Sequence, residues 1–166
     1  PVTGILNKFS FENSLRDTLN ARDESHECAL LLVDIDNMKR MNDELGKLVG
    51  DMFLENVAEF LTSIFRGSDI IGRVGGDEFM VYVRNLKSED WLAGKCSRIQ
   101  HEIKAISNEN GNINMTCSIG AAVAGKVPVS FEQMYTQADD SLYKAKTRGR
   151  GKYVLHYVHK EREVIR

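Results

Sequence analysis

Asp34 and Asp36 close a short apolar run, Cys28-Ala-Leu-Leu-Leu-Val-Asp34-Ile-Asp36, and a second acidic pair, Asp77 and Glu78, follows the step Gly75-Gly76. On an extended strand, residues two apart project to the same side, so Asp34 and Asp36 can share a face. If the chain leaves the strand at Asp34, Asp36 becomes instead the N-cap of a helix starting near Asn37. The Gly-Gly step suits the positive φ of a tight hairpin and leaves backbone open to a bulky phosphate. Neighbouring strand residues face opposite ways, so at most one of Asp77 and Glu78 is expected to join Asp34. Carboxylates gathered in this way repel one another unless a hard cation sits among them, and Mg²⁺ takes one or two carboxylates plus nucleotide phosphates. The chemistry predicted is that of a metal-nucleotide site.

The elements that must position these acids are legible as periodicities. Phe11, Leu15 and Leu19 recur every four residues between Asn7 and Asn20, as on an amphipathic helix. The wholly apolar run from Cys28 reads as a buried central strand. A helix is predicted from Asp51 to Phe65, with Asp51 as its cap, through Phe53, Leu54, Val57, Ala58, Leu61 and Ile64. Two strands, Ile70–Val74 and Glu78–Val83, join through the glycines. Further elements are a helix from about Ser88 to Ser107, a strand from about Ile113 to Val123, a helix from about Phe131 to Thr147 and a strand from Tyr153 to Tyr157. The order, a helix followed by β-α-β-β-α-β-α-β, predicts an α+β sandwich with a mainly antiparallel central sheet and a ferredoxin-like, palm-type core. Residues 1–157 are read as one domain. The charge-rich tail, 158–166, is expected outside the compact body.

Composition narrows the classes of partner. The chain has 166 residues, 42% of them apolar, enough for one core. A formal charge of −2 provides no basic field for nucleic acid or an anionic membrane, so phosphate chemistry must rely on local cations and metal. Cys28, Cys96 and Cys117 form neither a metal pattern nor a disulfide framework, which fits a reducing cytoplasm. No apolar run reaches the length of a membrane-spanning helix.

Beyond these readings, a concatenation of short motifs resembles the GGDEF domain of the diguanylate cyclase family. It comprises Thr3-Gly4-Ile5-Leu6-Asn7, Asp34-Ile35-Asp36-Asn37-Met38-Lys39, Asn42-Asp43, Gly46, Gly50-Asp51, Arg73-Val74-Gly75-Gly76-Asp77-Glu78-Phe79, Ser118-Ile119-Gly120, Ala138-Asp139, Leu142-Tyr143-Lys144-Ala145-Lys146 and Gly149-Arg150. The resemblance implies condensation of two GTP molecules into cyclic di-GMP with release of two pyrophosphates. Each domain would hold one GTP, so a homodimer is implied.

The resemblance places two Mg²⁺ or Mn²⁺ ions on the carboxylates of Asp34 and Asp77 and the carbonyl of Ile35. Glu78 is carried as a further ligand or proton acceptor, which makes Asp34, Asp77 and Glu78 the catalytic candidates. Guanine recognition maps to Asn42 and Asp51. A carboxylate at Asp51 can accept from guanine N1–H and the 2-amino group, which adenine cannot match. Met38, Gly75 and Gly76 fall in the substrate site. Lys39, Lys146 and Arg150 are the implied phosphate contacts, although Lys146 and Arg150 also suit the C-terminal end of a helix on their own. Arg66-Gly67-Ser68-Asp69 occupies the place of the family's inhibitory site for cyclic di-GMP, with Arg98 as the partner arginine. A helix-ending Arg with an Asp three residues on is the structural alternative.

Met38, Lys47 and Gly151 depart from the Phe, His and Asn common in the family, without removing a ligand. The first residues enter the family's opening motif partway, so an upstream sensory domain is expected. Two functions stay in play: an active cyclase, and a GGDEF module that binds GTP or cyclic di-GMP as a regulator without turnover.

Overall fold

In the computed structural model, residues 5–109, 111, 113–159 and 163–165 are described. Strand β1 (Leu6–Asn7) runs into helix α1 (Lys8–Asn20), where the Asn7 side chain caps the helix by accepting from Ser10 N at 2.8 Å. Helix α1 buries Phe11, Leu15 and Leu19, the stripe expected from their spacing. Strand β2 (Cys28–Ile35) is buried except at Asp34, which is only partly covered.

Two helices follow where one was predicted, α2 (Met38–Leu45) and α3 (Lys47–Ile64). Gly46, at φ +89°, ends α2 and opens α3, a conformation that favours glycine. Asp51 therefore lies in the second turn of α3 and is not its cap. The exposed Leu48 and Met52 fall off the buried stripe, so the apolar pattern understated the first turn of the helix. Asp36 is not a cap either; Asn37 holds that position, at φ +57° and without a side-chain cap bond.

Strands β3 (Ile70–Arg73) and β4 (Glu78–Val83) form the expected hairpin, followed by α4 (Glu89–Glu109) and β5 (Cys117–Ala124). Strand β5 starts later than Ile113, because residues 113–116 are spent returning from α4, with Met115 N donating to Ser107 Oγ. Helix α5 (Phe131–Thr147) opens with a Ser130–Gln133 capping box. Strand β6 (Tyr153–Tyr157) and strand β7 (Glu163–Ile165) complete the chain. The tail expected outside the body thus contributes an edge strand, antiparallel to β6.

The sheet order is β1-β3-β4-β2-β5-β6-β7. Strand β2 is antiparallel to both β4 and β5, while β1–β3 and β5–β6 are parallel. Its inner four strands, β3-β4-β2-β5, have the ferredoxin-like βαββαβ connection, and the α+β architecture is the one predicted. Helices cover both faces. Ala29, Leu31 and Val33 pack with α3 and α4, and Leu30 and Leu32 pack with α1 and α5, so β2 reads as continuously apolar. Helix α5 crosses β5 at Gly120, where an added Cβ would lie 2.2 Å from Leu142 N. That close crossing brings the end of α5 to the acidic end of β2.

Candidate active site

Antiparallel register sets Asp34 of β2 opposite Glu78 of β4 on one side and Ser118 of β5 on the other. Directly paired residues share a face of the sheet, so Asp34 and Glu78 are neighbours. Asp77 precedes β4 and is not bound by strand alternation; its carbonyl accepts from Ile35 N at 3.0 Å. Its charge adds to the rise of both the Asp34 and the Glu78 carboxyl.

Burial pushes the Asp34 carboxyl above its usual range. The Lys146 ammonium, bonded to Asp34, opposes that rise, and Asp77 and Asp36 add to it. Burial also raises Glu78, with the Asp34 charge adding to the effect and Lys146 opposing it.

The turn before Glu78 closes with Val74 N and Gly75 N both donating to the Glu78 carbonyl, at 2.9 and 3.3 Å. Arg73 Nη2 donates to Gly76 O at 2.6 Å. Neither Gly75 nor Gly76 takes a positive φ, contrary to the hairpin expectation, because this turn is wider than a two-residue one. What the glycines supply is space: a Cβ on Gly76 would meet nothing within 4 Å.

A cavity of about 310 Å³ adjoins the turn, lined by Met38 and Asn42 of α2, Asp51 of α3, and Gly76 and Asp77. Asn42 Oδ1 is buried without a hydrogen-bond partner among the described residues, an exception to the usual pairing of buried polar atoms. Gly50 makes this possible, since a Cβ there would lie 2.0 Å from Asn42 Oδ1. Asp51 is paired with Lys47, at 3.2 Å, and Lys47 is 81% exposed, so the pair is weak and yields readily.

The oxygen donors Asp34, Asp77 and the Ile35 backbone suit Mg²⁺ or Mn²⁺. Among the described residues no three His, Cys, Asp or Glu side chains form a ready-made metal cage. Mg²⁺ needs none, since it keeps waters and borrows phosphate oxygens. Partly buried acids with one ammonium among them are the setting such an ion completes.

Lys146 and Arg150 both reach the end of β2, Lys146 at Asp34 and Arg150 at Asp36 (3.3 Å). Lys39 stays on the exposed side of α2, paired with Asp43 at 2.8 Å, and is not brought to the cavity. Asp36, expected either to share a face with Asp34 or to cap a helix, was given no part in binding or catalysis. It is buried and accepts from Thr116 Oγ1, Ser118 Oγ, Gly151 N and Arg150. The available signal was a pair of period-two patterns, Asp34-x-Asp36 and Thr116-x-Ser118.

Arg66 and Asp69 meet each other. The fully covered Asp69 carboxylate accepts from Arg66 N at 3.0 Å, from its Nε at 3.3 Å and from Arg84 N at 3.0 Å. Arg66 also lies 5.5 Å from the Trp91 ring centre, while Arg98 lies over Phe60. This is the geometry of the structural alternative, and a cavity of about 390 Å³ borders it.

A palm-type sheet with acids on two adjacent central strands, beside a largely polar cavity with an orphaned acceptor, is the kind of site a domain that handles nucleotides would need. The family described as "Diguanylate cyclase, GGDEF domain" matches residues 1–152, and the chain belongs to that family. Diguanylate cyclase DgcS of Shewanella oneidensis is 34% identical over 93% of this chain and 51% of its own length. The chain thus spans about half of that relative. Cyclic di-GMP phosphodiesterase PdeR of Escherichia coli is 29% identical over 93% of this chain and 23% of its own length. A microbial GGDEF domain solved with cyclic di-GMP superimposes with a TM-score of 0.79 at 31% identity, covering 95% of this chain and 94% of that one. Among the described residues no helix is long and apolar enough to cross a membrane.

Proposed function

We propose that this domain condenses two GTP molecules into cyclic di-GMP, one GTP on each of two facing copies. The observation that carries the reading is the cavity in which the orphaned Asn42 acceptor and Asp51 lie beside Gly76 and Asp77. Guanine presents N1–H and a 2-amino group to two such acceptors, whereas adenine has an acceptor at N1 and no 2-amino donor. The base would therefore be read between α2 and α3, its triphosphate lying over the open Gly75-Gly76 backbone towards Asp34.

Asp34, Asp77 and the Ile35 carbonyl would hold Mg²⁺ or Mn²⁺, which, when bound, polarises the α-phosphate and neutralises departing pyrophosphate. Lys146 then gives up its bond to Asp34 and is free to pair with phosphate. Arg150 adds a second cation at the same end of the sheet. Glu78, its carboxyl raised by burial, is placed to accept the proton of the attacking 3′-hydroxyl, which the second copy presents. Arg66, Asp69 and Arg98 would take cyclic di-GMP as an inhibitor once Arg66 leaves Asp69.

Purified chain incubated with GTP and Mg²⁺ should yield cyclic di-GMP on chromatography. A second reading, GTP binding without turnover, draws on the likeness to PdeR. It would be favoured by saturable GTP binding with no product at high protein concentration.

A further inference from the structure

We propose that Asp36 is a positioning residue that presets Arg150 for the triphosphate, an inference that rests on the reading of Arg150 as a phosphate contact. One buried carboxylate gathers donors from two elements besides its own strand end. Its Oδ2 accepts from Thr116 Oγ1 at 2.7 Å and from Gly151 N at 3.0 Å. Its Oδ1 accepts from Ser118 Oγ at 2.8 Å and from Arg150 Nη1 at 3.3 Å. The Asp36 backbone is itself fixed, with its N donating to Thr116 O at 2.9 Å.

The segment so held has a backbone that needs holding. Gly149, Arg150 and Gly151 take φ values of +113°, +60° and +58° in succession, and Arg150 carries a Cβ in the left-handed region. In this conformation Gly151 N faces Asp36 while the Arg150 side chain returns to the same carboxylate. Asp36 lies two residues beyond Asp34, so the bond aligns the guanidinium with the strand end that carries the reacting acids. Arg150 remains 55% exposed, which leaves its other donors available to an incoming phosphate.

The donors divide into two kinds. The Thr116 and Ser118 hydroxyls can turn and accept, but a guanidinium and a backbone N–H can only donate. Asp36→Asn has one acceptor oxygen and one NH₂ donor: the hydroxyls turn to suit either, the oxygen stays with the shorter bond from the fixed Gly151 N, and the NH₂ then opposes the more exposed Arg150. The substitution should release Arg150 with the fold kept.

The test compares two probes on the same protein: a non-hydrolysable GTP analogue with Mg²⁺ by calorimetry, and guanosine by NMR titration. Asp36→Asn should weaken the analogue on the order of tenfold, the scale of a lost supporting contact, and leave guanosine unchanged. In an Arg150→Ala background it should have no further effect. Equal losses for both probes would make Asp36 a general stabiliser and overturn the inference, as would an unchanged affinity for the analogue. An unaffected Arg150→Ala would sink the phosphate reading of that residue, whereas an affected Arg150→Ala beside an unaffected Asp36→Asn sinks the inference alone. If Asp36→Asn does not fold, Thr116→Val with Ser118→Ala loosens the same carboxylate from the sheet side. A smaller loss confined to the analogue is expected there, and a loss shared with guanosine refutes the role.

Discussion

Gly50→Ala separates stability from nucleotide recognition at a single atom. Gly50 is helical, in the first turn of α3, and its φ is not positive, so alanine fits the backbone and gains about 1 kcal/mol of helix propensity. The new Cβ would stand 2.0 Å from Asn42 Oδ1 and 3.2 Å from its Cγ. Restoring an ordinary 3.4 Å contact moves Oδ1 by about 1.4 Å or more, enough to break any hydrogen bond it makes to a base. An unmade bond to a buried donor costs about 1–3 kcal/mol, or roughly 5- to 150-fold in affinity. Calorimetry with non-hydrolysable GTP and ATP analogues, alongside a thermal melt, measures both sides. The expected result is weaker GTP binding, a reduced GTP-over-ATP preference and a Tm equal to or above the parent's. Unchanged GTP affinity would refute the role of Asn42, and a fall in Tm matching the loss of affinity would refute its local origin.

Glu78→Gln should stabilise the metal-free, nucleotide-free domain at neutral pH while abolishing turnover. The Glu78 carboxyl is raised by burial, so its folded form favours the proton. Its contribution to stability is present at low pH and is lost as pH rises through the raised value. The Tm gain, about 2–4 °C per kcal/mol recovered, should therefore shrink as pH falls towards the ordinary carboxylate range; a gain independent of pH would contradict the cause. Arg66→Ala should weaken cyclic di-GMP binding and relieve inhibition without changing GTP binding. Unaltered inhibition in a kinetic assay would remove Arg66 from that site.

Much of the framework was legible because burial imposes period. The four-residue spacing of Phe11, Leu15 and Leu19 and the unbroken run at Cys28 announced α1 and β2, and the position of β2 between two helical layers explains why its run shows no alternation. The start of α3 was hidden because it depends on the φ of Gly46, and its first turns expose Leu48 and Met52. Strand β7 was hidden because a three-residue edge strand inside a charge-rich tail looks like a solvated end. Within the site, Asp34 was readable as an acid ending an apolar strand, and Asp77 and Glu78 as acids following glycines. The pairing of Lys146 with Asp34 depends on α5 crossing at Gly120, a contact far apart in sequence. Lys39 was read as a phosphate contact on motif position alone, while its helix face directs it to Asp43, four residues on. The donors gathered by Asp36 were not legible, because they come from residues about eighty positions on and from a loop more than a hundred residues away, which no local pattern reports.

The most direct measurement is product analysis of the purified chain with GTP and Mg²⁺ over a range of protein concentrations. Cyclic di-GMP is predicted, at a rate rising faster than linearly with protein because two copies must meet, and Asp77→Ala should be silent with its fold intact. Saturable GTP binding without product at the highest concentration, or product formed equally well by Asp77→Ala, would contradict the assignment.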